Sequence, residues 1–411
     1  MSGERRMTLK AVIFDYKTIF KIRPEAHQQV QQLLTDLQVR GIRTCIFTTD
    51  PMDVHTAARS FGYPTPAAHV SLADVPGQKK RGSDAWIEVA EARLGLPRHE
   101  MLYVGATTLD WRTAINAGVF LLHAGWAAPQ PPRTTLIVAA KPHDVLTFAE
   151  HFLLQPPRWS YRLDDTARRF SIRCLLPASA RLPSTSPGTS FKLQDIFTYS
   201  RDVRVGDDSA RDLLGMHAIS SLYTEGLLIP NARFCVYPGS KRGTISAELE
   251  PFVRPAATLA HGYYKDDLLV RAVDAVDTSI ERWKANQAGV NANISISNQA
   301  STVHIGTKYR GKLAGRTVIV FDDFTTTGMS LEWARNLLLS AGADRVVLLT
   351  IGKYSSNYTT YDPLAYAQLN PFAVSGLQPG DFQQATKQLT YDGANEPALA
   401  SLFARAIQDF A

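Results

Sequence analysis

The chain has 411 residues, of which 45% are hydrophobic and 20% are charged, and its formal net charge is +6. This length predicts two or three domains with cores of their own, and the composition excludes a disordered or collagen-like chain. No stretch reaches the length of an apolar membrane span, and the first ten residues lack the apolar centre of a signal peptide. We therefore expect a cytoplasmic protein without a membrane partner.

The cysteines and the basic charge narrow the kinds of site to consider. Cys45, Cys174 and Cys235 are widely spaced and lie in or near apolar runs, which predicts buried thiols rather than disulfides or a zinc site. A positive net charge favours phosphate-bearing ligands or a nucleic-acid partner. No long basic run interleaved with aromatic residues is present, so we expect nucleic acid only through a partner complex.

The first 155 residues alternate predicted strands and helices. Apolar runs predict strands at 10–14, 43–47 and 101–104, and helical spacing predicts helices at 24–40 and 83–94. This alternation predicts a doubly wound α/β domain with its ligands at the carboxyl ends of the strands. The pair Pro156-Pro157 interrupts the closing helix, so we place the domain boundary between residues 155 and 156.

Polar residues follow the predicted strands of this first half in a recognisable order. They are Asp15, Thr48, Thr49, Lys80 and, five residues after Gly105, Asp110. This order resembles the haloacid dehalogenase (HAD) superfamily, a Rossmannoid fold. The resemblance implies a phosphoryl-accepting nucleophile at Asp15, a phosphate-binding threonine at Thr48 or Thr49, a neutralising cation at Lys80, and magnesium held by Asp15 and Asp110.

Two positions depart from the pattern of active HAD phosphatases. Lys17 stands where a general acid and base is expected, and a lysine does not take that role unless its pKa is strongly lowered. Ala106 stands where the family carries a carboxylate on the magnesium side. Lys17 would instead pair with Asp15. We therefore expect a capless, degenerate domain that binds a phosphate compound or a protein partner and has no phosphatase activity.

The second half, 156–411, contains the strongest motif, VIVFDDFTTTGMS at 318–330. A β-branched run leads to Asp322 and Asp323, and a Thr/Gly turn then opens a segment with helical apolar spacing. Such a turn exposes backbone N–H groups at the positive end of a helix and so forms an anion cradle. Two adjacent acids at the end of a buried strand are costly without a function.

This run resembles the phosphoribosyl pyrophosphate (PRPP) motif of the type I phosphoribosyltransferases, in its competence-protein ComF-like form. The resemblance implies a second doubly wound domain with that fold, and catalytic contacts from Asp322 and Asp323 to the ribose hydroxyls. It implies Mg²⁺ bound together with PRPP. The residues that it assigns to the 5′-phosphate are Thr325, Thr326, Thr327, Gly328, Met329 and Ser330.

Two basic segments are candidates for the pyrophosphate end of PRPP. The predicted strand 233–237 leads into a loop with Gly239, Ser240, Lys241 and Arg242, whose amides and cations suit pyrophosphate, although a basic surface turn has the same composition. Family members carry a mobile lid before the motif. The residues that we consider for it are Lys308, Arg310 and Lys312, for which a charged turn leading into a strand is an equal alternative.

The remaining segments are predicted to complete the second domain. We expect a decorating element at 158–176, helices at 210–225 and 274–285, a strand at 345–350, and an amphipathic helix at 396–410 that docks on the domain or on a partner protein. The aromatic stretch 355–383 is predicted either to cover an acceptor base or to pack on the core.

These features predict an enzyme of nucleotide metabolism. The first hypothesis is a PRPP-dependent transferase that transfers ribose 5-phosphate to a base, nucleotide or macromolecule, with the HAD-like half as its regulatory part. The second is a PRPP or nucleotide sensor without catalysis. The third rests on the pairing of the two domains, which resembles effectors of bacterial stress-response and anti-phage loci, including those of retrons, that partner proteins or nucleic acid hold inactive.

Overall fold

The computed structural model describes residues 8–50, 52–133, 137–185, 189–260, 262–275 and 295–409. The helix predicted at 274–285 lies outside the described residues beyond position 275. The chain forms two compact units. The first contains the chain up to Pro157 together with 219–230 and 258–262, and the second contains the remainder.

The first unit is built on one six-stranded sheet. Its strands are β1 (Ala11–Asp15), β2 (Arg43–Thr48), β3 (Ala68–Ser71), β4 (Met101–Gly105), β5 (Leu121–Ala124) and β6 (Ile137–Ala139). All neighbours pair in parallel in the order β3-β2-β1-β4-β5-β6. The α-helices between and after these strands are Tyr16–Phe20, Pro24–Val39, Val54–Ser60, Ala85–Leu94, Thr108–Ala117 and Pro142–Phe148.

The central strands of this sheet have buried side chains on both faces. Every residue of β1 and β4 is buried, as expected for parallel strands with helices on both sides. The predicted strands and helices of the first half are present with bounds shifted by one or two residues, except that the closing helix is Pro142–Phe148 followed by a π-helical turn, Ala149–Leu153. The doubly wound α/β prediction is confirmed.

The second unit contains a seven-stranded sheet and four two-stranded ribbons among its described residues. Its strands are β7 (Tyr161–Asp165), β8 (Phe170–Pro177), β9 (Arg181–Pro183), β10 (Ser190–Lys192), β11 (Arg204–Val205), β12 (Asp208–Ser209), β13 (Arg233–Val236), β14 (Tyr263–Tyr264), β15 (Leu269–Arg271), β16 (Val303–Ile305), β17 (Thr317–Thr325), β18 (Arg345–Lys353), β19 (Asn357–Pro363), β20 (Phe382–Gln388) and β21 (Thr390–Tyr391). The α-helices after residue 157 are Leu193–Phe197, Ala210–Thr224, Glu250–Leu259, Ile296–Ala300, Met329–Ser340 and Asn395–Asp409.

The large sheet has the order β14-β13-β17-β18-β8-β7-β21. Its first five strands are mutually parallel, whereas β7 runs antiparallel to β8 and β21 runs antiparallel to β7. From β13 the chain goes on to β14, whereas from β17 it goes on to β18 on the other side. The order of the strands therefore reverses between β13 and β17, which is the place where open α/β sheets bind ligands.

The expectation that 158–176 merely decorates the second domain is wrong. This segment forms β7 and β8, and β8 is buried along its whole length between β18 and β7. Its sequence, FSIRCLLP, contains an arginine and a proline, which are both uncommon in core strands. Arg173 is nevertheless accommodated because its guanidinium bonds to Asp164 Oδ2 at 2.9 Å on the neighbouring strand.

Other sequence expectations have direct counterparts in the structure. All three cysteines are buried and unpaired. The last helix, Asn395–Asp409, buries Leu399, Leu402 and Phe403 within the second unit. In the aromatic stretch, Tyr358 and Phe382 belong to the hydrophobic core of that unit, which favours packing over a cover for a base. Among the described residues, no helix has the length and apolarity that a membrane crossing requires.

Candidate functional site

The principal candidate site lies at the carboxyl edge of the second unit's sheet, where β13 and β17 are neighbours. Val236 pairs with Phe321, so the loop after β13 and the acid pair of β17 start from the same level of the sheet. The Gly239–Arg242 loop and the threonine-rich turn thus lie on adjacent strands at the reversal point. Sequence spacing alone did not reveal that these two strands are hydrogen-bonded neighbours.

The two acids lie within β17 rather than after it, because the strand continues through Thr325. Both are half-buried. Asp322 accepts hydrogen bonds from its neighbour's backbone N–H at 3.1 Å and from Ser330 Oγ at 3.0 Å, and Asp323 Oδ1 accepts one from the Phe324 N–H at 2.6 Å. Burial, and then the nearby Asp323 carboxylate, raise the pKa of Asp322 well above its usual value.

The turn after the strand is shaped by Gly328. This residue has φ +93° and precedes the helix Met329–Ser340. A Cβ at this position would overlap the ring of Tyr358. Tyr358 is fully buried, and its hydroxyl donates to Glu332 Oε1 at 2.7 Å, so the ring holds a fixed position under the turn. Glycine is therefore required both by the left-handed backbone and by the aromatic neighbour.

A fully buried lysine fastens the same turn from the next strand. Lys353, the last residue of β18, pairs with Thr325 and directs its Nζ to the carbonyl oxygens of Thr326 and, at 2.8 Å, of Asn357. Burial lowers the pKa of Lys353 to about 8. Because the Thr326 carbonyl is held by this lysine, the direction of the following peptide is fixed too. The sequence contains no local signal for this role, because the predicted strand ends at residue 350.

The proposed pyrophosphate loop is supported by Arg271 of β15. Its guanidinium donates to the carbonyl oxygens of Gly239 and, at 3.2 Å, of Pro238, although Arg271 is itself only 4% exposed. Lys241 and Arg242 are exposed, and the backbone N–H of Arg242 donates to Asp274 at 2.7 Å. The loop is thus closed by a buried arginine that sequence reasoning missed, while its two cations extend into solvent.

The three lid candidates lie on the path from β16 to the start of β17. Val303 pairs with Arg271 at the level of the loop, and β16 then runs away from that level. Lys308 forms an ion pair with Asp267, and the guanidinium of Arg310 lies 4.4 Å from the ring centre of Phe372. Lys312 is exposed. These contacts support the alternative of a charged turn, and the lid role stays a prediction.

The donor set of this site suits magnesium only together with a phosphorylated ligand. The described residues contain no group of three or more His, Cys, Asp or Glu side chains placed to hold a metal. Mg²⁺ typically takes one or two protein carboxylates and completes its shell with substrate phosphate and water. Asp322 and Asp323 supply two such carboxylates, whose mutual repulsion a cation would relieve.

The first unit has an equivalent reversal point between β1 and β4, and two carboxylates meet there. Asp15 ends β1 and is 7% exposed, and Asp110 is 1% exposed in the first turn of the helix Thr108–Ala117. Arg81 joins them. One of its nitrogens lies 2.8 Å from Asp15 Oδ2 and also contacts Asp110 Oδ1 and the hydroxyl of Tyr103.

Each carboxylate is further held by local hydrogen bonds. Asp15 Oδ1 caps the following helix by accepting the Lys17 N–H at 2.8 Å. Asp110 Oδ2 accepts the N–H groups of Ala106 and Thr107, both at 2.9 Å, in a capping box. Burial, and then Asp110, raise the pKa of Asp15, while Arg81 opposes the rise. Burial alone would lower the pKa of Arg81, but Tyr103, Asp110 and Asp15 raise it on balance.

Two sequence expectations for this unit are therefore corrected. The cation on the carboxylates is Arg81 and not Lys80, which is exposed. The ion-pair partner of Asp15 is likewise Arg81, since Lys17 is exposed and contributes its backbone N–H. Three consecutive cations, Lys79, Lys80 and Arg81, gave no signal as to which one is buried.

The two threonines of the first unit differ in exposure. Thr48 is 1% exposed, and its Oγ1 accepts the Asp50 N–H at 3.1 Å, whereas Thr49 is exposed. The residues present do not fit a magnesium ion held by Asp15 and Asp110. Both carboxylates share the Arg81 guanidinium, and Ala106 offers no third carboxylate.

Comparisons with known proteins bear on the first unit. No protein-family model matches the chain, and no curated protein matches it. The chain is similar in part to solved structures of HAD-superfamily proteins. They include a putative haloacid dehalogenase-like hydrolase from Bacteroides fragilis, at 17% identity, covering 32% of this chain and 97% of that one with a TM-score of 0.24.

Two further solved structures are of the same kind. The core domain of a putative phosphoglycolate phosphatase from Streptococcus pneumoniae TIGR4 has 17% identity, covers 35% of this chain and 98% of its own, and gives a TM-score of 0.28. A HAD-superfamily hydrolase of subfamily IA from Geobacter sulfurreducens PCA has 12% identity and covers 34% and 99%, with a TM-score of 0.27. Each of these likenesses extends over about a third of the chain.

Proposed function

We propose that the second unit is a PRPP-dependent phosphoribosyltransferase, which transfers ribose 5-phosphate to an acceptor and releases pyrophosphate. One observation carries this proposal. The acid pair near the end of β17 and the Thr/Gly turn after it lie at the point where the strand order reverses, beside the Gly239–Arg242 loop of β13. Ligands of open α/β sheets bind at this place, and two half-buried acids there need hydroxyl or cationic partners.

Different residues of the site contact the ribose, the 5′-phosphate and the pyrophosphate of PRPP. Asp322 and Asp323 accept hydrogen bonds from the two ribose hydroxyls. The amides of the turn that begins at Thr326 receive the 5′-phosphate at the start of the helix Met329–Ser340. Lys241 and Arg242, both exposed beside the loop of β13, meet the pyrophosphate. Magnesium, when bound with PRPP, adds positive charge that stabilises the leaving pyrophosphate.

In this reaction the protein positions the reactants and stabilises charge, and it forms no covalent bond with them. The bond between C1′ and the pyrophosphate oxygen breaks, pyrophosphate leaves with the electron pair, and a lone pair of the acceptor forms the new bond to C1′. The positive charge that develops on the ribose is stabilised by the acid pair next to it. Holding both reactants in line supplies most of the remaining acceleration.

Calorimetric titration with PRPP and magnesium tests this function, followed by a pyrophosphate-release assay on the same protein. We expect binding in the wild type and its loss in the double variant Asp322→Asn, Asp323→Asn, because the hydroxyl acceptors are weakened and the negative charge is removed. Absence of PRPP binding in the wild type would rule out the transferase.

A sensor without catalysis is the second candidate, and the first unit favours it. Its carboxylates are neutralised by a buried arginine instead of being open to a ligand, which is the arrangement of a scaffold. The same two assays separate the candidates. A transferase binds PRPP and releases pyrophosphate once a suitable acceptor is supplied, whereas a sensor binds PRPP with the same dependence on Asp322 and Asp323 and releases none with any acceptor.

A further inference from the structure

The second unit contains a cavity of about 660 Å³ that the proposed function does not use. Its wall includes Arg181, Lys192, Gln194, Asp195, Tyr199 and Tyr354. Pockets that bind small molecules and cofactors commonly have volumes of roughly 300–1,000 Å³. The cavity is therefore large enough to hold a nucleotide-sized ligand, and all of its lining residues belong to one unit.

The cavity adjoins the acid-pair motif through Tyr354. The backbone N–H of this residue donates to the Thr325 carbonyl at 3.2 Å, and its ring centre lies 6.1 Å from that of Phe324, the residue after the acid pair. Phe324 in turn makes an edge contact with Phe197 of the short helix that carries Gln194 and Asp195. A ligand in the cavity would therefore lie beside the end of β17.

Two cations face each other at the wall of the cavity. Arg181 of β9 and Lys192 of β10 are directly opposite partners in an antiparallel pair, and both are exposed. Neither side chain forms an ion pair within the part of the chain that the structure describes, and the Arg181 guanidinium reaches only the Ser190 hydroxyl at 3.5 Å. Like charges directly opposite each other destabilise a strand pair, so an anion between them would be favourable.

Aromatic and amide groups complete the cavity. Tyr199 and Tyr354 are 64% and 54% exposed, so part of each ring is open to stacking, and the Arg201 guanidinium lies 5.6 Å from the ring centre of Tyr199. Gln194 donates its amide to the Ala178 carbonyl at 3.0 Å, and its Oε1 is buried without a hydrogen-bond partner among the described residues. That oxygen is not open to the cavity, so we assign it no contact with a ligand.

Asp195 does not offset the two cations. One of its oxygens accepts from Arg201 at 2.9 Å and the other from the Lys192 backbone N–H at 2.8 Å. The wall thus combines two cations and two aromatic rings with the polar side chains of Ser179, Gln194 and Asp195. A nucleic-acid strand would require a groove that tracks several phosphates, whereas this cavity offers one pair of cations beside one pair of rings.

We infer that this cavity is a binding site for a nucleoside monophosphate. Its phosphate lies between Arg181 and Lys192, and its base stacks on the exposed tyrosine rings. This inference concerns binding alone and does not depend on the transfer reaction.

Calorimetric titration of the full chain with AMP, GMP, CMP and UMP tests the site, with the four nucleosides and inorganic phosphate as parallel titrants. We expect at least one monophosphate to bind about tenfold more tightly than its nucleoside and than phosphate, because both the base and the charged group contribute. Arg181→Gln and Lys192→Gln should each weaken this binding about tenfold.

A matched control is Arg162→Gln, which removes an exposed arginine from β7 of the same unit and should leave the affinity unchanged. Tyr354→Leu should weaken the monophosphate more than phosphate, because it removes only a stacking surface. Asp322→Asn with Asp323→Asn should retain the nucleotide while losing PRPP, so that each site is judged separately.

Two results would overturn the inference. One is that no monophosphate binds, or that a monophosphate binds with the same affinity to both cation variants as to the wild type. Thermal unfolding like that of the wild type would show that the variants are folded. The other is tight binding of a ten-nucleotide single strand, about a hundredfold tighter than that of every monophosphate and weakened by the Arg181 and Lys192 variants. The site would then bind nucleic acid rather than a mononucleotide.

Discussion

Arg81 neutralises the two buried carboxylates of the first unit, Asp15 and Asp110. Arg81 is 6% exposed, and its guanidinium lies between 5.2 and 5.8 Å from the ring centres of Phe47, Trp86 and Tyr103 and contacts both Asp15 and Asp110. A buried ion pair of this kind contributes little net stability as a whole, but removing one partner leaves the others unpaired in a medium of low polarity.

Replacing Arg81 should therefore have a much larger effect than replacing its neighbour. We expect Arg81→Met to lower the free energy of unfolding by about 3 kcal/mol or more, because two buried carboxylates lose their cation. Lys80→Met, an exposed change one residue away, should stay within about 0.5 kcal/mol of the wild type. Urea-induced unfolding measures both, and equal effects of the two variants would contradict the assignment of Arg81 as the neutralising cation.

The acid pair of β17 should lower the free energy of unfolding of the unliganded protein at neutral pH. The pKa of Asp322 is raised in the folded state, so this group favours folding when it is protonated at low pH. That contribution is lost as the pH rises through the folded-state pKa. We expect Asp322→Asn to raise the free energy of unfolding at pH 7, because it removes a half-buried carboxylate that is repelled by Asp323.

The gain from Asp322→Asn should shrink as the pH is lowered towards the ordinary aspartate pKa of about 3.9. Urea-induced unfolding at pH 7 and pH 5 makes the comparison. A variant that is less stable than the wild type at pH 7 would mean that hydrogen bonds to Asp322, such as that from Ser330, outweigh the repulsion.

The strand-turn-helix element from Thr317 to Ser340 depends on groups outside itself. Its turn is held by Tyr358 of β19 below Gly328 and by Lys353 of β18 at the Thr326 carbonyl. Neither partner belongs to the motif. The shape of the turn therefore depends on β17, β18 and β19, although the residues that contact the ligand are contiguous in the sequence.

Alanine substitutions at two glycines of the second unit distinguish the cost of backbone strain from the cost of side-chain overlap. Gly328 and Gly311 both have positive φ, +93° and +71°, but a Cβ at Gly311 meets nothing within 4 Å. Both alanine variants place a residue with a Cβ at a positive φ, which costs roughly 1 kcal/mol in backbone strain. Only Gly328→Ala also displaces Tyr358, and we expect it to be less stable than Gly311→Ala by about 2 kcal/mol.

The measurement for this pair is urea-induced unfolding, together with PRPP affinity. Gly328→Ala should lose PRPP binding, because the turn amides move with Tyr358, and Gly311→Ala should keep it. Similar losses in both variants would show that the aromatic contact does not shape the turn.

Lys353 should make PRPP affinity depend on pH in an unusual range. Its pKa is lowered by burial to about 8, so its positive charge is present below that pH and is lost as the pH rises through it. We expect the affinity of the wild type for PRPP to fall about tenfold between pH 7 and pH 9, as the charge behind the turn disappears. Lys353→Met should bind PRPP more weakly at pH 7 and show no such fall. Calorimetric titration of both proteins between pH 7 and pH 9 tests this prediction. If PRPP affinity falls equally with pH in the wild type and in Lys353→Met, the pH dependence does not come from Lys353.

On the scale of the whole molecule, each unit has its own hydrophobic cluster. One surrounds Trp86 and Tyr103 in the first unit, and the other surrounds Trp333 and Tyr358 in the second. Ligand binding stabilises the residues that it contacts and the cooperative unit to which they belong.

Hydrogen exchange should therefore localise the effect of PRPP with magnesium. We expect slower exchange in peptides that contain 238–244 and 317–340 and unchanged exchange in peptides that contain β1 and β4. The first unit should also fail to hydrolyse a generic phosphomonoester, because its carboxylates are neutralised by Arg81. Protection of β1 by PRPP, or phosphatase activity lost in Asp15→Asn, would contradict this division.

The sequence by itself determined the α/β class, most of the strands and helices, and the contiguous motif at 318–330, because these depend on local periodicity and on neighbours along the chain. Only the tertiary structure decided which strands adjoin one another, and so it brought the Gly239–Arg242 loop beside the acid pair. It also decided which cation is buried, since the choice between Lys80 and Arg81 depends on the facing side chains and not on spacing. Lys353, Arg271 and Tyr358 support the site from other strands, and no local pattern in the chain identifies such partners.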